Sequence, residues 1–248
     1  MNELKPIIEV TDLVAKYGEQ TVLDGITVNF NANEVTVILG GSGCGKTTLL
    51  KNILRMHEPY SGSVKLFGDE ITQLESAEFE KFLKRIGMLF QSGSLINSIP
   101  VWDNLAIPLE QHTNLPLEII DRMIRTKLHL VHLDHAVQLL PSELSGGMVK
   151  RAGLARSIIL DPEILFCDEP SAGLDPLTSE SLDNLILDLK EQLNMSIVVV
   201  THELASIHRI ADKIIFLDQG KLLFNGTLDE AKASGIQEVV TFFKAGKF

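Results

Sequence analysis

The 248 residues contain only two cysteines, one tryptophan and two tyrosines. Cys44 stands in a glycine-rich stretch and Cys167 in an apolar run. Two such thiols form no disulfide framework, and reduced cysteines in the cytosol are the expectation. No apolar run approaches the roughly 18 residues that would span a bilayer, and Met1 to Pro6 hold no hydrophobic signal segment. Positive charge is also scarce. Lys and Arg number 22 against 33 Asp and Glu, a net charge of −11, and no dense basic run occurs. That balance argues against nucleic acid or anionic lipid headgroups as the main contact surface. Any membrane role must therefore come through a partner. Internal repeats and low-complexity segments are missing as well, so the length suits one large α/β domain, alone or with a subdomain.

One stretch organises the rest. The β-branched run Val35-Thr36-Val37-Ile38-Leu39 leads into Gly40-Gly41-Ser42-Gly43-Cys44-Gly45-Lys46-Thr47-Thr48, and helical periodicity begins directly after it. The glycines allow the backbone to bend tightly and turn its N–H groups inward. The positive end of the following helix adds to that anion site. Lys46 supplies a mobile positive charge for the β- and γ-phosphates, and the Thr47 hydroxyl is placed to ligate Mg²⁺. The spacing is that of a P-loop with its flanking strand and helix, so the chain is expected to bind ATP or another nucleoside triphosphate.

Strands are expected at Ile7 to Lys16, Thr21 to Phe30, Ser63 to Phe67 and Ile86 to Phe90, with a polar helix near Ser76 to Lys84. From Ser92 to Asp161 helical patterns take over, broken at Pro100, Pro108, Pro116 and Pro141. This reads as an inserted helical subdomain (92–161) within an α/β core (1–91 and 162–248). Ile164 to Cys167 and Ile197 to Val200 are fully apolar, as suits parallel strands covered on both faces. Ile214 to Leu217 and Leu222 to Phe224 read as a hairpin about Gln219-Gly220, and Thr227 with Glu230 forms a capping box that opens a last helix.

Two further constellations carry chemistry. Asp168, at the tip of an apolar strand beside a P-loop, is the expected Mg²⁺ holder, and adjacent Glu169 can orient and deprotonate the attacking water. Ser145-Gly146-Gly147, opening a helix, makes a second anion site. A single ATP hardly needs two such sites from one chain. The economical reading is a head-to-tail homodimer sandwiching two nucleotides. His129, His132 and His135 share a helix face, but no further ligands converge on them and a solvated face is the better reading.

With these motifs in place the chain resembles the ATP-binding-cassette (ABC) ATPases over essentially its whole length. Gly40 to Thr47 match that family's Walker A loop, Leu144 to Gly147 its signature, and Ile164 to Asp168 its Walker B strand. The resemblance implies that Tyr17 stacks on adenine and that Glu169 is the catalytic base. It also implies that Gln91 touches Mg²⁺ or the attacking water, that Ser171 to Asp175 form the D-loop, and that His202 contacts the γ-phosphate. Taken alone, Asp175 would be a helix cap before Pro176. The implied fold is a P-loop NTPase core with a mixed sheet, helices on both faces, an N-terminal antiparallel β subdomain and the helical insertion.

Met148 stands where a glutamine commonly follows the signature. Together with Phe90 to Leu95, Asp103 to Pro116 and Leu140 to Glu143, it is similar to the ATPase subunit of Mla-type transporters, which move phospholipids between the membranes of diderm bacteria. That resemblance implies an integral-membrane permease dimer, a periplasmic lipid-binding ring protein, often a STAS-domain protein, and a place on the cytoplasmic face of the inner membrane. Ser92 to Leu109 would form part of a groove for a permease coupling helix, with Trp102 either an anchor there or a core side chain. The D-loop Ser171-Ala172-Gly173-Leu174-Asp175 is closer to the generic cassette form, which leaves a sister lipid-transport branch open. The rival readings are a solute-import ATPase and a soluble cassette of iron–sulfur cluster assembly.

Overall fold

A computed structural model describes residues 6–245; the expected absence of a signal segment concerns Met1 to Pro6, of which all but Pro6 lies outside them. In chain order the elements are β1 (Pro6–Tyr17), β2 (Gln20–Asn31), β3 (Val35–Leu39), α1 (Lys46–Ile53), β4 (Ser61–Leu66), β5 (Asp69–Glu70), α2 (Ser76–Leu83) and β6 (Ile86–Leu89). Next come α3 (Val101–His112), α4 (Leu117–Leu130), α5 (Gly146–Ser157), β7 (Ile164–Asp168), α6 (Pro176–Leu193) and β8 (Ser196–Val200). The chain closes with α7 (Leu204–Ile210), β9 (Lys213–Asp218), β10 (Lys221–Gly226), α8 (Leu228–Ala233) and α9 (Gln237–Ala245). Two compact units emerge among the described residues, one of 6–82 with 198–245 and one of Leu83–Ile197.

In the first unit, β1 and β2 pair antiparallel with Val10 opposite Val28 and Leu13 opposite Ile26. The four-stranded sheet runs β2-β1-β4-β5. Ile8, Val10, Leu13, Leu23, Ile26, Val28 and Phe30 bury its apolar face, while Glu9, Asn29 and their like stay outside, as period-two alternation requires. The unit's other strands run β10-β9-β3, with β8 beside β3. Every residue of β3 is buried, and β3 is parallel to β9, Val37 opposite Ile214. The expected hairpin joins β9 to β10 through Gln219 (φ 46°) and Gly220 (φ 77°), two left-handed residues of the kind that suit strand twist.

The second unit pairs β6 and β7 in parallel, Leu89 opposite Cys167. Around them stand α3 to α6. Pro100 and Pro116 are the N-caps of α3 and α4, and Pro141 opens a short 3₁₀ turn, so three of the four expected breaks occur. Pro108 does not break its helix and lies inside α3. Burial of Val101, Leu105, Ala106 and Leu109 on one face outweighs the lost N–H there, which sequence punctuation cannot weigh. Thr227 and Glu230 form the expected capping box, but α8 is not the last helix: left-handed Gly235 (φ 69°) turns the chain into α9. Among the described residues no helix is long and apolar enough to cross a membrane.

Candidate functional site

The phosphate loop belongs to the first unit. Leaving β3, the chain turns at Gly40 (φ 142°), where a Cβ would lie 2.1 Å from the Leu217 carbonyl oxygen and 2.6 Å from Cys44 Sγ. At Gly45 (φ 107°), the N-cap of α1, a Cβ would lie 2.5 Å from Leu23 Cδ2. β9 and β2 thus crowd the loop from either side and leave no room for larger residues. No side chain caps α1, so its first N–H groups are oriented donors of the kind an anion uses. Lys46 Nζ donates to the carbonyls of Gly40 (2.8 Å) and Gly41 (2.9 Å). Those neutral acceptors give way readily to a phosphate oxygen, because an ammonium is attracted more strongly to a full negative charge than to a carbonyl dipole. Thr47 is exposed at the helix start, and Ser42 is exposed on the loop.

A cleft of about 240 Å³ opens there, lined by Tyr17, Val22, Gly43, Gly45, Lys46, Thr47 and Thr48. The fold therefore brings Tyr17, distant in sequence, to the phosphate loop. Its ring is backed by that of His57, centroids 4.5 Å apart and planes inclined at 44°. His57 gave no sequence signal. His202 follows β8 by two residues and is exposed in the same unit.

In the second unit the parallel pairing of β6 with β7 sends Gln91 and the Asp168-Glu169 pair off the same end of the two strands. Asp168 is half-buried at the strand tip, and Glu169 has φ 48°, a left-handed backbone that a residue with a full side chain adopts only at a cost. Burial, followed by the charges of Asp168 and Asp183, pushes the Cys167 thiol well above its ordinary range, so it is a packing residue.

Ser145 caps α5, its Oγ accepting the Met148 N–H at 3.3 Å. Asp175 caps α6: Oδ1 accepts the N–H groups of Leu177 and Thr178, both at 3.1 Å, and Oδ2 the Thr178 hydroxyl at 2.5 Å. Those Thr178 bonds hold its carboxyl below the usual carboxylate range. The two helix starts abut, since a Cβ on Gly147 would meet Thr178 Cγ2 at 2.7 Å. Exposed Gly146 lies nearer the open side.

Lys150 and Arg156 of α5 were invisible to motif reading. Lys150 Nζ donates to the carbonyls of Gln91 and Glu169, and Arg156 Nη1 to that of Ser94 at 2.7 Å. Burial lowers both pKa values, with the Glu169 charge partly offsetting this for Lys150. The available clue was a basic side chain on a helix whose Ala152, Leu154 and Ala155 are all buried, because a buried charge needs partners.

The donors of the phosphate loop suit nucleotide phosphates. Among the described residues no cluster of three or more His, Cys, Asp or Glu could hold a metal alone. Mg²⁺ ordinarily takes one or two protein oxygens and completes its shell with phosphate and water; the first unit offers the Thr47 hydroxyl and the second, separately, the Asp168 carboxylate. His129 Nδ1 instead meets Asp134 Oδ1 at 2.9 Å. The three histidines are exposed but share no helix face, because α4 ends at Leu130, His132 turns left-handed (φ 59°) and His135 lies in a 3₁₀ turn (Asp134–Ala136).

The profile described as ABC transporter matches residues 23–172. Over 238 residues the chain is 40% identical to the intermembrane phospholipid transport system ATP-binding protein MlaF of Haemophilus influenzae, spanning 96% of this chain and 90% of that protein. It is 37% identical over 219 residues to the probable ribonucleotide transport ATP-binding protein mkl of Mycobacterium leprae, spanning 88% of this chain and 63% of that one. Among solved structures, a dimeric ATP-binding cassette in a post-hydrolysis state with ADP and Pi is similar, with a TM-score of 0.81 and 27% identity over 89% of this chain and 98% of that one.

Proposed function

The chain belongs to the ABC transporter family as an ATP-binding, ATP-hydrolysing subunit, and from that premise we propose that it energises phospholipid movement between the two membranes of a diderm bacterium. The observation that carries the lipid reading is the likeness to a phospholipid-transport ATPase along nearly the full length of both chains. The relative named for ribonucleotide transport shares only 63% of its length with this chain and supports the cassette more than the cargo.

In this reading the chain works as an ATP-sandwich homodimer docked on the cytoplasmic face of an integral-membrane permease. A periplasmic lipid-binding ring protein and a STAS-domain protein complete the assembly, and residues 92–161 act as the helical signature subdomain. Tyr17 stacks on adenine, while the N–H groups of Gly40 to Thr48 and the Lys46 ammonium hold the β- and γ-phosphates. Thr47, Asp168 and Gln91 would hold Mg²⁺, which when bound would neutralise charge on the phosphates. Ser145, Gly146 and Gly147 of a second copy close on the γ-phosphate, and Asp175 belongs to the same dimer contact. Glu169 accepts the proton of the attacking water, and His202 steadies the γ-phosphate by a hydrogen bond.

Two measurements test the reading. Glu169→Gln keeps ATP binding and lowers turnover by roughly 10²- to 10⁴-fold, the usual worth of a general base; undiminished steady-state hydrolysis removes Glu169 from that role. Affinity capture of the chain from detergent-solubilised membranes should recover a permease, a lipid-binding ring protein and phospholipid. Recovery of a solute permease, or of soluble partners only, overturns the lipid assignment and leaves the ATPase standing.

A further inference from the structure

Three groups on α5 reach residues 91–94. Lys150 Nζ donates to the Gln91 carbonyl and Arg156 Nη1 to the Ser94 carbonyl. Between them, Gly153 lets the loop lie directly on the helix: a Cβ there would come 2.8 Å from the Gly93 carbonyl oxygen. The Lys150 ammonium also reaches the Glu169 carbonyl, at 3.4 Å. Lys150 is 6% exposed. An ammonium has three donors and no acceptor, and its burial is tolerated only when carbonyls or carboxylates receive those donors. Here the receivers are the backbones of the two residues that leave the same end of the parallel pair β6 and β7. One of them, Glu169, is held in a left-handed conformation, which persists only where the surroundings enforce it.

We propose that Lys150 is a positioning residue for ATP hydrolysis: its ammonium bridges the Gln91 and Glu169 carbonyls and so fixes the aim of both side chains. The inference rests on the assignment of Glu169 as the base. An apolar side chain of similar length would fill the space but remove the charged donor from both carbonyls, leaving the Ala172 N–H (3.2 Å) on that of Glu169 and loosening the bridge between the two residues. Lys150 itself has no assigned contact with ATP, so the loss should fall on kcat more than on KM.

The test compares Lys150→Met, Lys150→Arg and Glu169→Gln in the full-length chain by steady-state ATPase kinetics, with thermal denaturation as the check on folding. Lys150→Met should lower kcat roughly 10- to 100-fold, the range expected for lost charge-assisted hydrogen bonds. KM for ATP should stay within about twofold of wild type, and Lys150→Arg, which keeps charge and donors, should restore most of kcat. A kcat for Lys150→Met within about threefold of wild type overturns the proposal, as does a rise in KM that accounts for the loss, or an arginine variant as poor as methionine. Should the methionine variant not fold, Lys150→Leu carries the same test. Failure of both to fold overturns the proposal in favour of a purely structural lysine. If Glu169→Gln hydrolyses ATP normally, the base assignment fails; if that variant is inactive while Lys150→Met is unimpaired, only the role of Lys150 falls.

Discussion

Gly40 and Gly41 are neighbours in the same loop, yet alanine should have opposite consequences at the two positions. At Gly40 the backbone has φ 142°, and an added Cβ would sit 2.1 Å from the Leu217 carbonyl oxygen and 2.6 Å from Cys44 Sγ. The first obstacle is backbone of β9, which cannot swing away as a flexible side chain could. Holding an L-residue in so sparsely populated a region costs about 1–3 kcal/mol. Forcing a methyl into filled space costs about 1–3 kcal/mol more. The sum, about 2–6 kcal/mol, is a large part of the roughly 5–15 kcal/mol that stabilises a typical protein. At about 2–4 °C per kcal/mol for a chain of this size, Gly40→Ala should lower Tm by at least about 4 °C. At Gly41 a Cβ meets nothing within 4 Å and φ is not positive, so Gly41→Ala should stay within about 0.5 kcal/mol of wild type, under about 2 °C. Thermal denaturation of the three proteins without nucleotide reads both values. The reasoning is refuted if Gly40→Ala melts within about 2 °C of wild type, or if Gly41→Ala falls as far as Gly40→Ala.

Lys127, buried on α4, has its ammonium paired with exposed Asp161. Asp161→Ala should destabilise the protein by about 1–3 kcal/mol because it leaves a buried charge without its acceptor, and adding Lys127→Met should recover part of that loss; a urea midpoint unmoved by Asp161→Ala counts against the pairing. Asp175 has a folded pKa below its unfolded value, so its contribution is complete above the ordinary carboxylate pKa and disappears as pH falls through the lowered one. Asn caps helices about as well but cannot ionise, so Asp175→Asn isolates the charge. Its Tm deficit should be constant near neutrality and close below about pH 4; a deficit independent of pH would mean that the charge contributes nothing.

Local rules made much of this molecule legible before any coordinates. The β-branched run into Gly40 to Thr47 implied strand, loop and helix, because few other arrangements use four glycines, a lysine and a threonine at that spacing. Asp175 before Pro176 implied a cap, and Gln219-Gly220 a hairpin, since each depends on φ preferences and side-chain reach within a few residues. Pro108 misled for the same reason. A proline rule counts the lost N–H and cannot count the burial of Leu105 and Leu109 that outweighs it.

By itself, then, the sequence determined the phosphate loop, the carboxylates at a strand tip, the family and most element boundaries, all of which follow from short-range spacing. Only the tertiary structure decided which side chains stand together across long stretches of chain. It set His57 behind Tyr17, pressed Leu217 against Gly40 so that two adjacent glycines differ in kind, and turned Lys150 onto the backbones of Gln91 and Glu169. Those pairings depend on how strands and helices pack, and packing is the sum of many weak contacts that no local pattern encodes.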